Sequence, residues 1–241
     1  MSLGDRFPIR SVEQASDSSL TGWPATLAPV AQLLSSGLTF GPATVLVGEN
    51  GSGKSTIVEG IARAFGLSQE GGSTGATLST RESESPLWEH LTIVRNPGAS
   101  KRGYFLRGET AHGLFTYLEN NPNRYARTPE PVFHEMSHGE SFLSLVGEKF
   151  RGDGLWVLDE PEAALSFRGC LRLVRALTEK LEGGRSQVIL STHSPVLAAL
   201  PGATLLEVGD WGIRPTPWQE SELVMGWRSF LAHPERHLPR N

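Results

Sequence analysis

Short apolar runs alternate with longer segments of helical period along most of this chain, and that alternation predicts an α/β fold. Ala43-Thr44-Val45-Leu46-Val47, Leu155-Trp156-Val157-Leu158 and Gln187-Val188-Ile189-Leu190-Ser191-Thr192 are continuous, apolar and rich in β-branched residues. Strands buried on both faces of a parallel sheet read this way. Between the strands, Ile57, Val58, Ile61, Ala62 and Phe65 recur at helical spacing, and Gly66 supplies a stop. Leu27, Val30, Ala31 and Leu34 predict a two-turn helix, and Phe142, Leu145, Val146 and Phe150 a longer one. In the helix ended by Gly183-Gly184, the expected buried stripe is Phe167, Leu171, Val174, Leu177 and Leu181. Phe7 to Val12 reads as an edge strand, residues 87–95 as a helix turn or strand, Gly103 to Arg107 as a short strand and residues 111–121 as a helix. A β-hairpin is expected over 204–218, followed by a closing helix through Trp227 and Leu231. Residues 66–86, rich in Gly, Ser and Thr, read as a loop or mobile insertion, and Asn121 to Pro131 as a proline-punctuated linker.

Chemistry enters where these elements meet. Gly48-Glu49-Asn50-Gly51-Ser52-Gly53-Lys54-Ser55-Thr56 fits G-x-x-x-x-G-K-[ST] and lies between a predicted strand and a predicted helix. In that context the glycines turn backbone N–H groups toward a phosphate, and the helix N-terminus adds its positive end. Lys54 would reach the β- and γ-phosphates of a nucleoside triphosphate, and the Ser55 hydroxyl would ligate Mg²⁺. A second apolar strand delivers Asp159 and Glu160 at its C-terminal end, where ligands bind in open parallel sheets. Asp159 suits Mg²⁺, a hard cation, and Glu160 is placed to orient and deprotonate an attacking water. The third strand ends in His193, a candidate γ-phosphate contact. Ser137 and Glu140 stand at the capping-box spacing before a helix. His134-Glu135-Met136-Ser137-His138 also matches H-E-x-x-H, but a zinc site needs both histidines on one continuous helix. Pro129, Pro131 and Gly139 place the helix start near Ser137 instead, and no third ligand is signalled downstream.

Composition narrows the class. The 241 residues allow one sizeable core, and 38% hydrophobic with 20% charged is ordinary for a soluble globular chain. No apolar run approaches the ~20 residues of a membrane span, so direct membrane insertion is not expected. One cysteine, Cys170, excludes an internal disulfide framework, suits a reducing cytoplasm, and is expected as a buried small hydrophobe. A net charge of −4 argues against a chain-wide nucleic-acid footprint. Locally, Arg95, Lys101, Arg102 and Arg107 form a basic stretch without an acid, a candidate contact for a nucleic-acid or protein effector. Among upstream aromatics, Phe7, Trp23 and Phe40 are candidates to stack an adenine.

Phosphate loop, Ser-His-Gly-Glu-Ser, Asp-Glu-Pro and Ser-Thr-His stand in one order across residues 43 to 195, and together they resemble the ATP-binding-cassette ATPases. The runs Asp159 to Ser166 and Ser191 to Pro195 are similar to stand-alone bacterial ATPases of the AAA and cassette type and to chromosome-maintenance and recombination ATPases, and the tail Ser229 to Arg236 resembles the end of small stand-alone members. The resemblance implies a P-loop NTPase fold in a single domain over 1–241: a mostly parallel central sheet flanked by helices, with an inserted subdomain at about 67–150 carrying the signature motif. It further implies a head-to-tail homodimer with two ATPs in the interface, bound with Mg²⁺. Ser137, His138, Gly139 and Glu140 would face the γ-phosphate held by the partner's Lys54 and Ser55, with Glu160 as general base and His193 on the phosphate. Three positions depart from the family pattern. His138 replaces a glycine, Ser166 an aspartate, and the usual metal-side glutamine falls to Arg107 or Glu109. The leading expectation is an ATPase whose dimer switches a partner. The alternatives are a transporter's ATPase subunit, an ATP sensor with little turnover and, less well matched to the motifs, a small-molecule kinase.

Overall fold

A computed structural model of the chain describes residues 6–68, 72–73, 85–111, 113 and 136–239. Among these, a seven-stranded sheet has the order β10-β9-β3-β8-β7-β6-β4. Its strands are β3 (Ala43–Val47), β4 (Gly72–Ser73), β6 (Gly103–Arg107), β7 (Leu155–Asp159), β8 (Gln187–Ser191), β9 (Thr204–Gly209) and β10 (Gly212–Pro215). The neighbours from β9 through β6 pair in parallel, and β10 and β4 add antiparallel edges. The expected mostly parallel sheet is therefore present, and β9 and β10 are the expected hairpin.

Every residue of β3, β7 and β8 is buried, which is why these strands read as unbroken apolar runs. Alternate side chains enter two different cores, as the period of two requires. Trp156 and Leu158 meet Phe142, Leu145, Val146, Cys170, Leu173 and Leu177 from α3 (His138–Lys149) and α4 (Phe167–Leu181). Leu155 and Val157 face Ile57, Val58 and Ile61 of α2 (Lys54–Phe65) and Val30 and Leu33 of α1 (Ala28–Ser36). Cys170 lies inside the first core, and burial pushes its thiol pKa up, so it packs as the small hydrophobe expected.

Several expectations change. The segment expected at an edge forms β1 (Ile9–Gln14), the middle strand of a small antiparallel sheet between β2 (Leu38–Thr39) and β5 (Leu91–Arg95). Its polar residues hid this, because one face of an antiparallel sheet is open to water. Residues 86–95 supply both a 3₁₀ turn, Pro86–His90, and β5. On α4 the buried stripe is rotated from the expected one: Cys170, Leu173 and Leu177 are buried, while Phe167 is 66% and Leu171 48% exposed. Both stripes satisfy a 3.6-residue period, and the sheet below chose between them. The closing helix forms as α5 (Glu222–Ala232), but Val224 is its one buried residue, so it adds little to the core. Of the stretch 67–150, β5 and β6 join the two sheets and α3 packs its apolar face on the main core. The expected helix 111–121 lies almost wholly outside the described residues, as do the linker 121–131, most of the loop 66–86, and His134 and Glu135.

Candidate functional site

The C-terminal ends of β3, β8 and β7 are adjacent, and the sequence places its three motifs there. Backbone bonds lock the ends together: Thr192 N–H donates to Leu46 O at 3.0 Å, Glu160 N–H to Ser191 O at 3.0 Å, and Gly108 N–H to Asp159 O at 2.8 Å. Gly48 can only be glycine, because a Cβ there would lie 2.1 Å from the Val208 carbonyl oxygen. Gly53, in the left-handed region, begins α2 with no side-chain cap, so the helix start is left for an anion. Lys54 is almost fully buried, and its Nζ donates to Gly48 O and Glu49 O, both at 2.9 Å, holding the loop shut on itself. Burial lowers the ammonium pKa, against the opposing pull of Glu160, Asp159, Glu162 and Glu49. Those carboxylates offset part of its desolvation.

Asp159 is buried, with Oδ1 accepting from Ser191 Oγ and Oδ2 from Arg107 Nε at 3.0 Å. Glu160 adopts left-handed backbone (φ 49°, ψ 51°), unusual for a residue with a side chain. The conformation brings its Oε1 to 3.4 Å from His193 Nε2. That ring nitrogen is buried with no hydrogen-bond partner, as is Ser52 Oγ of the loop. The His193 backbone is held in turn by the Glu162 carboxylate, which accepts from its N–H. The adjacent ends of β7 and β8 thus bring Asp159, Glu160 and His193 together. His193 Nε2, buried beside the Glu160 carboxylate, is placed where it could contact a phosphate oxygen or a water.

A Cβ at Gly108 would lie 2.1 Å from the Glu160 carbonyl oxygen, so Glu160 cannot stay in place beside any larger residue. Gly108→Ala is therefore expected to displace Glu160 and to lower the thermal midpoint by several degrees, measured by calorimetry.

Ser137 caps α3 with both bonds of the expected capping box: Glu140 N–H donates to Ser137 Oγ at 3.4 Å, and Ser137 N–H to Glu140 Oε2 at 3.1 Å. Ser137 is non-helical (φ −65°, ψ 152°), so the H-E-x-x-H pattern does not run along one helix. The serine hydroxyl, expected to be open to a phosphate, is engaged instead: it donates to Glu140 Oε2 at 2.6 Å. A carboxylate three residues away reaches a cap hydroxyl before any ligand does. Met136, Ser137, His138 and Glu140 are exposed, and the cavity beside the phosphate loop does not include them.

That cavity, about 310 Å³, is lined by Gly48 to Ser52, His193, the β9–β10 turn and the start of α5. Its aromatic is Trp211, half-exposed in the turn, which lies downstream of the phosphate loop and outside the upstream candidates Phe7, Trp23 and Phe40. Phe7 and Phe40 are core residues with no ring face open to an adenine, and Trp23, though exposed, does not line the cavity. The basic stretch also divides. Arg95 stacks on the Phe65 ring, 4.0 Å from its centroid, and donates to Phe65 O. Arg107 belongs to the site and Lys101 and Arg102 remain exposed. Arg102 joins Arg6 and Arg185, distant in sequence, around a separate cavity of about 450 Å³. Among the described residues, Glu109 makes no hydrogen bond or ion pair, and Arg107 is the residue that reaches Asp159.

A sequence-family model described as ABC transporter matches residues 32–163. The chain is 25% identical, over 75% of its length and 81% of the relative's, to the cytochrome c biogenesis ATP-binding export protein CcmA of Rhodospirillum rubrum. It is 29% identical to CcmA of Rhodopseudomonas palustris, over 65% of this chain and 80% of that one. Among solved structures, a metal-chelate type ABC transporter in an inward-facing conformation superposes with a TM-score of 0.52 at 15% identity, covering 96% of this chain and 90% of that one, a likeness of fold.

Proposed function

This chain belongs to the ABC transporter family and is an ATPase, and from that premise we propose that two copies close head to tail around two ATP molecules to switch a partner. The observation that supports this reading is the start of α3. It is exposed, carries the positive end of a 12-residue helix, and is missing from its own phosphate-loop cavity. A second copy would supply that helix end to the γ-phosphate, with the stretch of about 67–150 as the subdomain that presents it.

Within each copy, Gly48 to Thr56 would wrap the phosphates, Lys54 turning from its loop carbonyls to the β- and γ-oxygens. Glu160 would take the proton of the attacking water, and His193 Nε2 would hold the γ-phosphate beside it. The residues present fit Mg²⁺. Ser55 and Asp159 offer hard oxygen donors, and Arg107 ties Asp159 to Glu59, one helical turn beyond Ser55 on the same face of α2. When bound, the ion supplies charge neutralisation at the phosphates.

Light scattering of the Glu160→Gln protein tests the dimer. A doubling of mass on adding Mg-ATP is expected, and a monomer at saturating Mg-ATP sinks the head-to-tail reading. A second reading, in which the partner is a membrane transporter, draws on the export function in the relatives' names. No helix among the described residues is long and apolar enough to cross a membrane, so that reading requires a separate membrane subunit. Co-purification of an integral membrane protein with the tagged chain from native membranes would favour it. The Arg6, Arg102 and Arg185 cluster replaces the basic stretch as the surface we assign to a non-membrane effector.

A further inference from the structure

Arg107 closes β6 directly opposite Asp159 in the parallel register. Its guanidinium donates from Nε to Asp159 Oδ2 at 3.0 Å and from Nη2 to Glu59 Oε2 at 2.7 Å. Burial alone would lower the Arg107 pKa, but Asp159 and Glu59 outweigh it and raise it, so the side chain is a permanent cation. Oδ1 of Asp159 is already taken by Ser191, so Arg107 occupies the carboxylate's other oxygen. An ordinary divalent cation approaching Asp159 therefore meets a carboxylate whose charge is neutralised and a second positive charge beside it.

Glu59 supplies the second half of the argument. Its Oε2 is bonded to Arg107, but its Oε1 is buried with no hydrogen-bond partner. A buried carboxylate oxygen without a donor is costly, and a guanidinium pairs best with both oxygens of one carboxylate. Arg107 thus has a second resting place within reach: bidentate on Glu59, with Asp159 released. The two arrangements keep the arginine paired throughout and differ in whether Asp159 is available.

We propose that Arg107 is a positioning residue that latches Asp159 while the site holds no nucleotide, and frees it for Mg²⁺ by moving fully onto Glu59. The site then takes its metal together with the triphosphate, whose negative charge offsets the guanidinium, and resists bare divalent cations. This rests on the reading of Ser55 and Asp159 as the metal-bearing pair.

The test uses the full chain and two variants that act in opposite directions. Arg107→Gln removes the latch, and Glu59→Gln removes the bidentate resting place. Mn²⁺ binding in the absence of nucleotide, read by the loss of the free-ion EPR signal, is expected to tighten about tenfold in Arg107→Gln relative to wild type. The Mg²⁺ concentration giving half-maximal binding of a fluorescent ATP analogue is expected to fall in Arg107→Gln and to rise in Glu59→Gln. If Arg107 merely braces the fold, both variants lose thermal stability and the metal dependence stays put. Equal Mn²⁺ affinities in wild type and Arg107→Gln overturn the latch whatever the nucleotide data show. Failure of wild type to bind the analogue at any Mg²⁺ concentration overturns the nucleotide-site reading instead, so the two failures are distinct.

Discussion

Glu160→Gln is expected to slow ATP hydrolysis by about 10²–10⁴-fold, or roughly 3–5 kcal/mol in the barrier, with Mg-ATP affinity unchanged. The amide keeps the size of the side chain and one acceptor oxygen but cannot take a proton from water. Nothing else about the position need change, because the backbone holds Glu160 where it is. Its N–H bonds to Ser191 O, and its carbonyl accepts from Ala163 N–H at 3.1 Å. The left-handed conformation has a steric cost on the order of 1–2 kcal/mol, which these bonds and the crowding at Gly108 support. His193 Nε2, at 3.4 Å from the carboxylate, would still meet the γ-phosphate. Single-turnover release of phosphate separates the chemical step from binding. Unchanged turnover in the variant would remove Glu160 from the role of base and leave the neighbouring Glu162 as the carboxylate to examine.

Lys54→Ala is expected to raise the ATP dissociation constant by about 10- to 150-fold, the loss of a charge-assisted hydrogen bond worth about 1.5–3 kcal/mol. The ammonium is paired with two loop carbonyls, so it would exchange one set of partners for phosphate oxygens and not start from water. Because the nearby acids include Asp159, Glu160 and Glu162, its removal leaves a net negative site that repels a triphosphate. Isothermal titration with ATP reads the change directly, and an affinity within twofold of wild type would place the phosphates elsewhere. The thermal midpoint belongs beside it, since Gly48 and Glu49 lose the donor that holds their carbonyls.

Much of this site was legible along the chain because its parts are local. A phosphate loop is a contiguous strand, turn and helix start, so nine adjacent residues state both its geometry and its chemistry. Asp159 and Glu160 announce themselves by following an apolar strand, and Ser137 with Glu140 by the spacing of a capping box that the structure contains in full. The five-residue strands β3, β7 and β8 fall where unbroken apolar runs predicted them, because burial on both faces leaves no room for polar alternation.

What only the tertiary structure decided is everything set by pairing between distant segments. Periodicity fixed that residues 167–181 form a helix but left its angular orientation free. The sheet buried Cys170, Leu173 and Leu177 and turned Phe167 and Leu171 outward. The four basic residues between 95 and 107 looked like one surface. Folding sent Arg95 to Phe65, Arg107 to Asp159 and Glu59, and Arg102 to Arg6 and Arg185. Charge along a chain is one-dimensional, whereas the field a ligand meets is summed over neighbours in space. Trp211, in a turn about 160 residues past the phosphate loop, reaches its cavity because β9 pairs with β3. The sequence by itself determined which chemistry this protein carries, an ATPase site in parallel α/β architecture. The cross-strand register of Arg107 with Asp159 determined which cation pairs with the acid at the end of β7.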